Sequence, residues 1–162
     1  MQMGETLLVL AALVIFSLVA LQINDTKFDN NNDLMETEFE LSAIGIAQSF
    51  IQEAQSLAFD EAVVDTTYTT GLPGYFTAPA SLGSDGGESY NTFNDVDDFN
   101  GYTSTVTTPR IDYNVSISVS YADSGTVSPG YANRSFLKIM TVLISSEYFS
   151  DTLKVEYNYS YY

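Results

Sequence analysis

Residues 7–21 read LLVLAALVIFSLVAL, fifteen positions in which Ser17 alone is polar. With Thr6 before it and Gln22 and Ile23 after it as tolerated flanks, the run reaches the lower end of the roughly 17–25 residues that cross a bilayer as a helix. A secretory signal would place Lys or Arg before such a run and small residues at a cleavage point after it. Here the run follows Met1-Gln2-Met3-Gly4-Glu5, an acid standing where a signal carries a base. The segment therefore reads as an anchoring or packing helix, and the remaining residues must be explained around it.

The chain has 162 residues, enough for one domain with a real core. Its 5 Lys+Arg against 21 Asp+Glu leave a formal charge of −16. Five scattered cations (Lys27, Arg110, Arg134, Lys138, Lys154) form no basic face, so binding to a nucleic-acid backbone is not expected. Cys and His are both absent. Thiol catalysis, disulfides, thiolate or imidazole zinc sites, haem with such axial ligands and a Ser-His-Asp triad are excluded together. Only carboxylate chemistry is left, and no carboxylate pair can be placed in a cleft from sequence, so no enzyme activity is expected.

Glu5 is the informative residue of the N-terminal segment. A carboxylate at the edge of a membrane segment costs on the order of 2–3 kcal/mol unless it finds a partner. One reading places it in the first turn of the helix, where the positive end of the macrodipole favours an anion by about 0.3–1 kcal/mol. The other pairs it with a free α-amino group, its own chain's or that of a neighbour stacked with an axial offset.

After Ile23 the chain turns polar through Asn24-Asp25-Thr26-Lys27-Phe28-Asp29-Asn30-Asn31-Asn32-Asp33. Asn and Asp compete for the backbone, which predicts a weakened or unwound section within 24–32. Asp33 and Glu36 have capping-box spacing, so a helix is expected to restart there. Met35, Phe39, Ala43, Ile46, Phe50, Ala54 and Leu57 then recur at helical steps, opposite a polar face of Glu36, Glu38, Glu40, Gln48, Gln52 and Glu53. The expected organisation is an N-terminal helical region over 1–62 (hydrophobic 1–23, polar 24–32, amphipathic 33–62) and a globular domain over 63–162. Helical throughout, residues 3–60 would run about 85 Å, too long to hide in one small domain, so the helix is expected to reach into a membrane or a bundle of sister helices.

Residues 65–109 are rich in Thr, Ser, Gly and Asp, hold three of the four prolines and show no period, as expected of a loop region. Within it, Asp95, Asp97, Asp98 and Asn100 precede Gly101, an oxygen-rich pattern resembling the start of a calcium loop. The distal bidentate Glu of such a loop is missing. The same residues suit an Asx-turn-rich loop with no metal. Calcium bound there is one expected answer to the repulsion among −16 subunits, the other being acids that point outward.

The C-terminal third alternates. Ile111, Tyr113, Val115, Ile117, Val119 and Tyr121 are separated by Asp112, Asn114, Ser116, Ser118 and Ser120, the pattern of a strand with one buried face. Residues 136–144 are apolar on both sides, as in a strand covered twice. Leu153, Val155, Tyr157, Tyr159 and Tyr161 alternate with polar residues, and these tyrosines read as packing groups. The expected fold is α+β, a long N-terminal helix packed on an antiparallel meander over 110–162, with a further strand at 102–108. Asn-X-Ser/Thr occurs at Asn24, Asn114, Asn133 and Asn158. Asn114 and Asn158 also carry an acid two residues before, Asp112 and Glu156, and are the candidate glycosylation sites.

Glu5, the apolar stretch after it, an amphipathic continuation and a small β-domain together resemble the type IV pilins and the related pseudopilins of type II secretion. AFDE at 58–61 and DVDDFNGY at 95–102 also look like bacterial pilin-like sequences. The resemblance implies a prepilin peptidase that removes a short basic leader, methylation of the new terminus at Met1, and pairing of Glu5 with a neighbour's amine during assembly. It implies residence in the inner membrane first and then, through the pilus assembly machinery, an extracellular homo-oligomeric filament. Val14 and Gln22 stand where the family often has Gly and Pro, so local unwinding at those positions is not carried over. The expected function is that of a major pilin. Alternatives are a pseudopilin of a secretion machine and, from another class, a single-pass anchored acidic binding module.

Overall fold

The computed structural model describes residues 2–64, 71–123, 125, 128–130 and 132–161, with backbone alone for Gln2 and 29–32. The chain divides into two compact units, Met1–Phe39 and Glu40–Tyr162. One helix, α1, runs from Gln2 to Gln55.

Within the first unit α1 carries Glu5 in its opening turn. The Ser17 hydroxyl donates to the carbonyl of Leu13 at 2.8 Å, so the one polar side chain within 7–21 is satisfied by the helix itself, and beyond the stretch Thr26 donates to the carbonyl of Gln22 at 2.8 Å. The expected unwinding over 24–32 does not occur: the backbone is helical throughout. Nor does the helix restart at Asp33, whose carbonyl accepts from Thr37 Oγ1 at 2.8 Å in mid-helix. The reason is cooperativity. Each Asn or Asp costs under about 0.7 kcal/mol in a helix interior. A break would expose up to four carbonyls and four N–H groups and require a second nucleation.

In the second unit the helix buries Ala43, Ala47 and Ala54 completely, with Phe50 6% and Ile51 7% exposed. Of the expected stripe, Phe39, Ala43, Phe50 and Ala54 are buried; at one step Ala47 is buried where Ile46 was expected, Ile46 and Leu57 are half-buried, and Met35 is 50% exposed. Small residues at the centre of the stripe permit close approach of helix and sheet. The helix ends at Gln55, seven residues short of the expected 62. Ser56 and Leu57 bond back three residues, to Glu53 O at 2.9 Å and Ala54 O at 3.2 Å. Ala58 then leaves the helical ladder, because its N–H donates to Asn94 O at 3.1 Å and its carbonyl accepts from Val96 N at 2.9 Å. A long-range bridge thus replaces the next helical turn.

The sheet is a four-stranded antiparallel meander in the order β1 (Thr103–Thr107), β2 (Asp112–Tyr121), β3 (Leu137–Ser145), β4 (Leu153–Ser160). The α+β arrangement is the one expected, with the further strand included. All six odd positions from Ile111 to Tyr121 are at most 6% exposed, while Asp112, Asn114, Ser116 and Ser118 are exposed. In register with β2, Lys138, Met140, Val142 and Ile144 of β3 are all 0% exposed. The opposite face of β3 is covered only in part, with Ile139 buried and Leu143 exposed. Residues 65–70 of the expected loop region lie outside the described residues. The remainder carries short 3-10 turns at Pro79–Ser81, Tyr90–Thr92 and Asp97–Phe99. Gly101, at φ +81°, makes the turn from the last of these into β1.

Candidate functional site

Apart from the sequon asparagines, the residues singled out by sequence fall in two places. The first is the N-terminal stretch of α1, where every described side chain from Met3 to Phe28 is exposed. These include Leu8 and Phe16, each 72% open. Among the described residues this helix is the one long and apolar enough to cross a membrane. Glu5 lies in its first turn, as the dipole argument requires. Met1, the expected methylated terminus, lies outside the described residues.

The second place is the acidic loop. Its carboxylates do not face solvent: Asp95, Asp97 and Asp98 are 1%, 2% and 5% exposed. Asp95 Oδ1 accepts the N–H groups of Asp97 (2.8 Å) and Asp98 (3.2 Å) in an Asx arrangement. Asp98 Oδ2 accepts those of Asn94 (2.8 Å) and Asp95 (3.2 Å). Asn100 is bound elsewhere, its amide donating to Leu82 O at 2.9 Å and its Oδ1 accepting from Val119 N at 2.9 Å. The four expected calcium ligands are thus held by protein donors. Among the described residues no group of three or more His, Cys, Asp or Glu is arranged to hold a metal ion.

What the loop does hold is a lysine. Lys138 enters from β3, fully buried, and its Nζ meets Asp97 Oδ1 at 2.5 Å, Asp60 Oδ2 at 2.8 Å and Phe59 O at 2.7 Å. These use all three ammonium donors. Asp60 is fully buried as well. Its Oδ1 accepts from Ala62 N (3.2 Å), Thr77 N (3.0 Å) and Thr77 Oγ1 (3.2 Å), and the Tyr121 hydroxyl lies 2.9 Å from its Oδ2. The Phe59 and Tyr121 rings flank Nζ at 4.7 and 5.3 Å from their centroids.

The two carboxyls on Lys138 are tuned in opposite directions. Burial disfavours charge on Asp60, but the Lys138 ammonium and the N–H donors of Thr77 and Ala62 outweigh it and hold its pKa below the ordinary value. At Asp97 burial prevails, helped by the charge of Asp60 and opposed by Lys138, and the pKa is raised. Asp95, beside them, is pushed up to about 8 by burial and by the charges of Asp97 and Asp98.

Sequence reasoning missed Lys138 and Asp60. A signal for Lys138 existed: it is the one charge in the run 136–144, and a strand covered on both faces has to bury whatever it contains. Asp60 carries no comparable mark. The sequon residues Asn114 and Asn158 stand exposed on the outer sheet face, Asn114 accepting from Thr105 Oγ1 at 3.1 Å. Asn24 is exposed on α1 and Asn133 in the loop before β3. Comparison of the chain with protein-family models, curated proteins and solved structures returns no match.

Proposed function

We propose that the chain is a structural subunit of an extracellular type IV pilus-like filament, held in the inner membrane by residues 3–23 before assembly and polymerising through the same residues afterwards. The observation that supports this reading is the uncovered apolar stretch of α1 with an acid in its first turn. Fourteen large apolar side chains between Met3 and Phe28 are exposed. At about 1.5–3 kcal/mol for each one buried, sister helices would gain more than the roughly 4–15 kcal/mol that association costs. Glu5 is the only charge in the helix before Asp25, so a neighbour's α-amino group meeting it would set the axial stagger of the subunits. The activity is assembly rather than catalysis. The β-domain forms the outer surface, with Asn114 and Asn158 as glycan acceptors.

The test is electron microscopy of sheared surface fibres from cells carrying the wild-type chain and Glu5→Ala, with mass spectrometry of the N-terminal peptide. Wild-type fibres built from this chain, a methylated terminus and a greatly reduced yield from the mutant are expected. Normal yield from Glu5→Ala would leave Glu5 a dipole role only. Recovery of the chain solely as a membrane-bound monomer would favour the anchored binding module, and short fibres tied to a secretion machine would favour the pseudopilin.

A further inference from the structure

We propose that Lys138 and Asp97 become joined by an intramolecular amide bond that the protein forms by itself, with Asp60 as the acid–base group. The site is built for condensation in three respects. The nucleophile and the electrophile are in contact, Nζ standing 2.5 Å from Asp97 Oδ1, with the two side chains 0% and 3% exposed. A second carboxylate touches the same nitrogen, Asp60 Oδ2 at 2.8 Å, and is itself fixed by Thr77, Ala62 and Tyr121. Water is kept out by the Phe59 and Tyr121 rings that flank Nζ.

The two carboxyls divide the work according to their environments. Asp60, favoured as the anion, is the base; Asp97, favoured as the neutral acid, is the electrophile. One ammonium proton passes from Lys138 to Asp97, giving an amine and a carboxylic acid. Nζ then attacks Asp97 Cγ. As the N–C bond forms, Asp60 Oδ2 takes a second proton from the nitrogen and hands it to the departing hydroxyl. The C–O bond breaks, one water leaves, and the nitrogen keeps its third proton as the amide N–H. Nothing is oxidised or reduced and no co-reactant is needed. Holding the reacting groups in contact supplies the effective concentration that an amine and an acid lack in solution. A salt bridge alone would leave two carboxylates facing one ammonium in a dry site, whereas the amide removes one charge of each sign from it. In a chain without cysteine, the bond would tie β3 to the acidic loop across a separation of 41 residues, the part a disulfide plays elsewhere.

The experiment uses the full chain purified in detergent. Its intact mass, after any N-terminal modification is assigned from the terminal peptide, should fall one water below that of the sequence. Trypsin acting on the denatured chain should fail to cut after Lys138 and should release residues 28–110 joined to 135–154. Cleavage after Glu88 should then leave the link on the fragment holding Asp97, separated from Asp60. Lys138→Arg should restore the full mass, and so should Asp60→Asn in material whose circular dichroism matches the wild type. Full wild-type mass with ready cleavage after Lys138 would overturn the proposal. A link at Asp60 would overturn the assignment of the electrophile, and a folded but still condensed Asp60→Asn would overturn the role of the base. Should Asp60→Asn fail to fold, the wild-type peptide map alone decides whether the bond exists.

Discussion

The Tyr159 hydroxyl donates to the carbonyl of Ile51 at 2.9 Å, joining β4 to the last turns of α1 across 108 residues of sequence. Both groups are buried, and the same hydroxyl lies 3.4 Å from Met140 Sδ. It is a direct polar contact between helix and sheet in the unit where the helix buries Ala43, Ala47 and Ala54 completely.

Tyr159→Phe keeps the ring and removes this bond. Because the Ile51 carbonyl lies within the helical ladder, the loss should be that of one ordinary hydrogen bond, about 0.5–1.5 kcal/mol. Chemical denaturation should show a lower midpoint with an unchanged slope. No change in the midpoint would mean that the hydroxyl merely occupies space.

Lys138→Met should be far more costly. It keeps most of the apolar stem and takes away the ammonium that faces Asp60 and Asp97 before condensation, and with it the amide that ammonium would form. Removing one partner of a buried pair costs on the order of 3–5 kcal/mol. Adding Asp60→Asn and Asp97→Asn to the same chain should recover part of that loss, since the double change removes the stranded charges. Stability of Lys138→Met equal to wild type would show that the carboxyls are neutralised without the lysine.

Stability should depend on pH in a direction opposite to that of an ordinary salt-bridged acid. Asp95 titrates at about 8 in the folded chain against an ordinary 3.8. Between those values the native state holds a proton that the unfolded chain has released, so its stability falls as pH rises through the window and levels off above it. Asp60 acts in the reverse sense: its lowered pKa makes the native state lose stability as pH falls below its ordinary value of 3.8. The melting temperature should peak in mild acid and decline toward pH 8. Asp95→Asn, a mimic of the protonated acid, should flatten that decline, and an unaltered slope in this variant would remove Asp95 as its source.

Calcium should leave the β-domain's melting unchanged, as should a chelator. Asp95, Asp97 and Asp98 already serve backbone donors and Lys138, and Asn100 serves Leu82 and Val119. A calcium-dependent rise in the melting temperature would show that these oxygens can be taken from their protein partners.

The helix and the sheet differ in how much of them could be read beforehand. Alternation over 111–121 names the buried face of β2 residue by residue, because a strand's side-chain period is fixed at two whatever it packs on. Helical periodicity over 35–57 is as plain, yet it misplaces the buried stripe by one residue at Ile46 and Ala47 and overruns the end at Gln55. Those two features depend on what lies opposite, and the partner of Ala58 is a loop residue far along the chain. Asn and Asp over 24–32 misled in another way, since propensity is a small term per residue and an unbroken ladder outweighs it.

By itself the sequence determined the class of fold, the apolar segment with Glu5 at its head, and the chemistries that a chain without Cys or His cannot perform, because these follow from local period and composition. Only the tertiary structure decided what the carboxylates of the acidic loop face. In one dimension Asp95, Asp97, Asp98 and Asn100 resemble cation ligands. In three dimensions Lys138 of β3 meets Asp97 of the loop and Asp60 of the helix exit, 41 and 78 positions before it in the chain. A buried charge is stable only beside its counter-charge, and no local pattern records which distant residue supplies it.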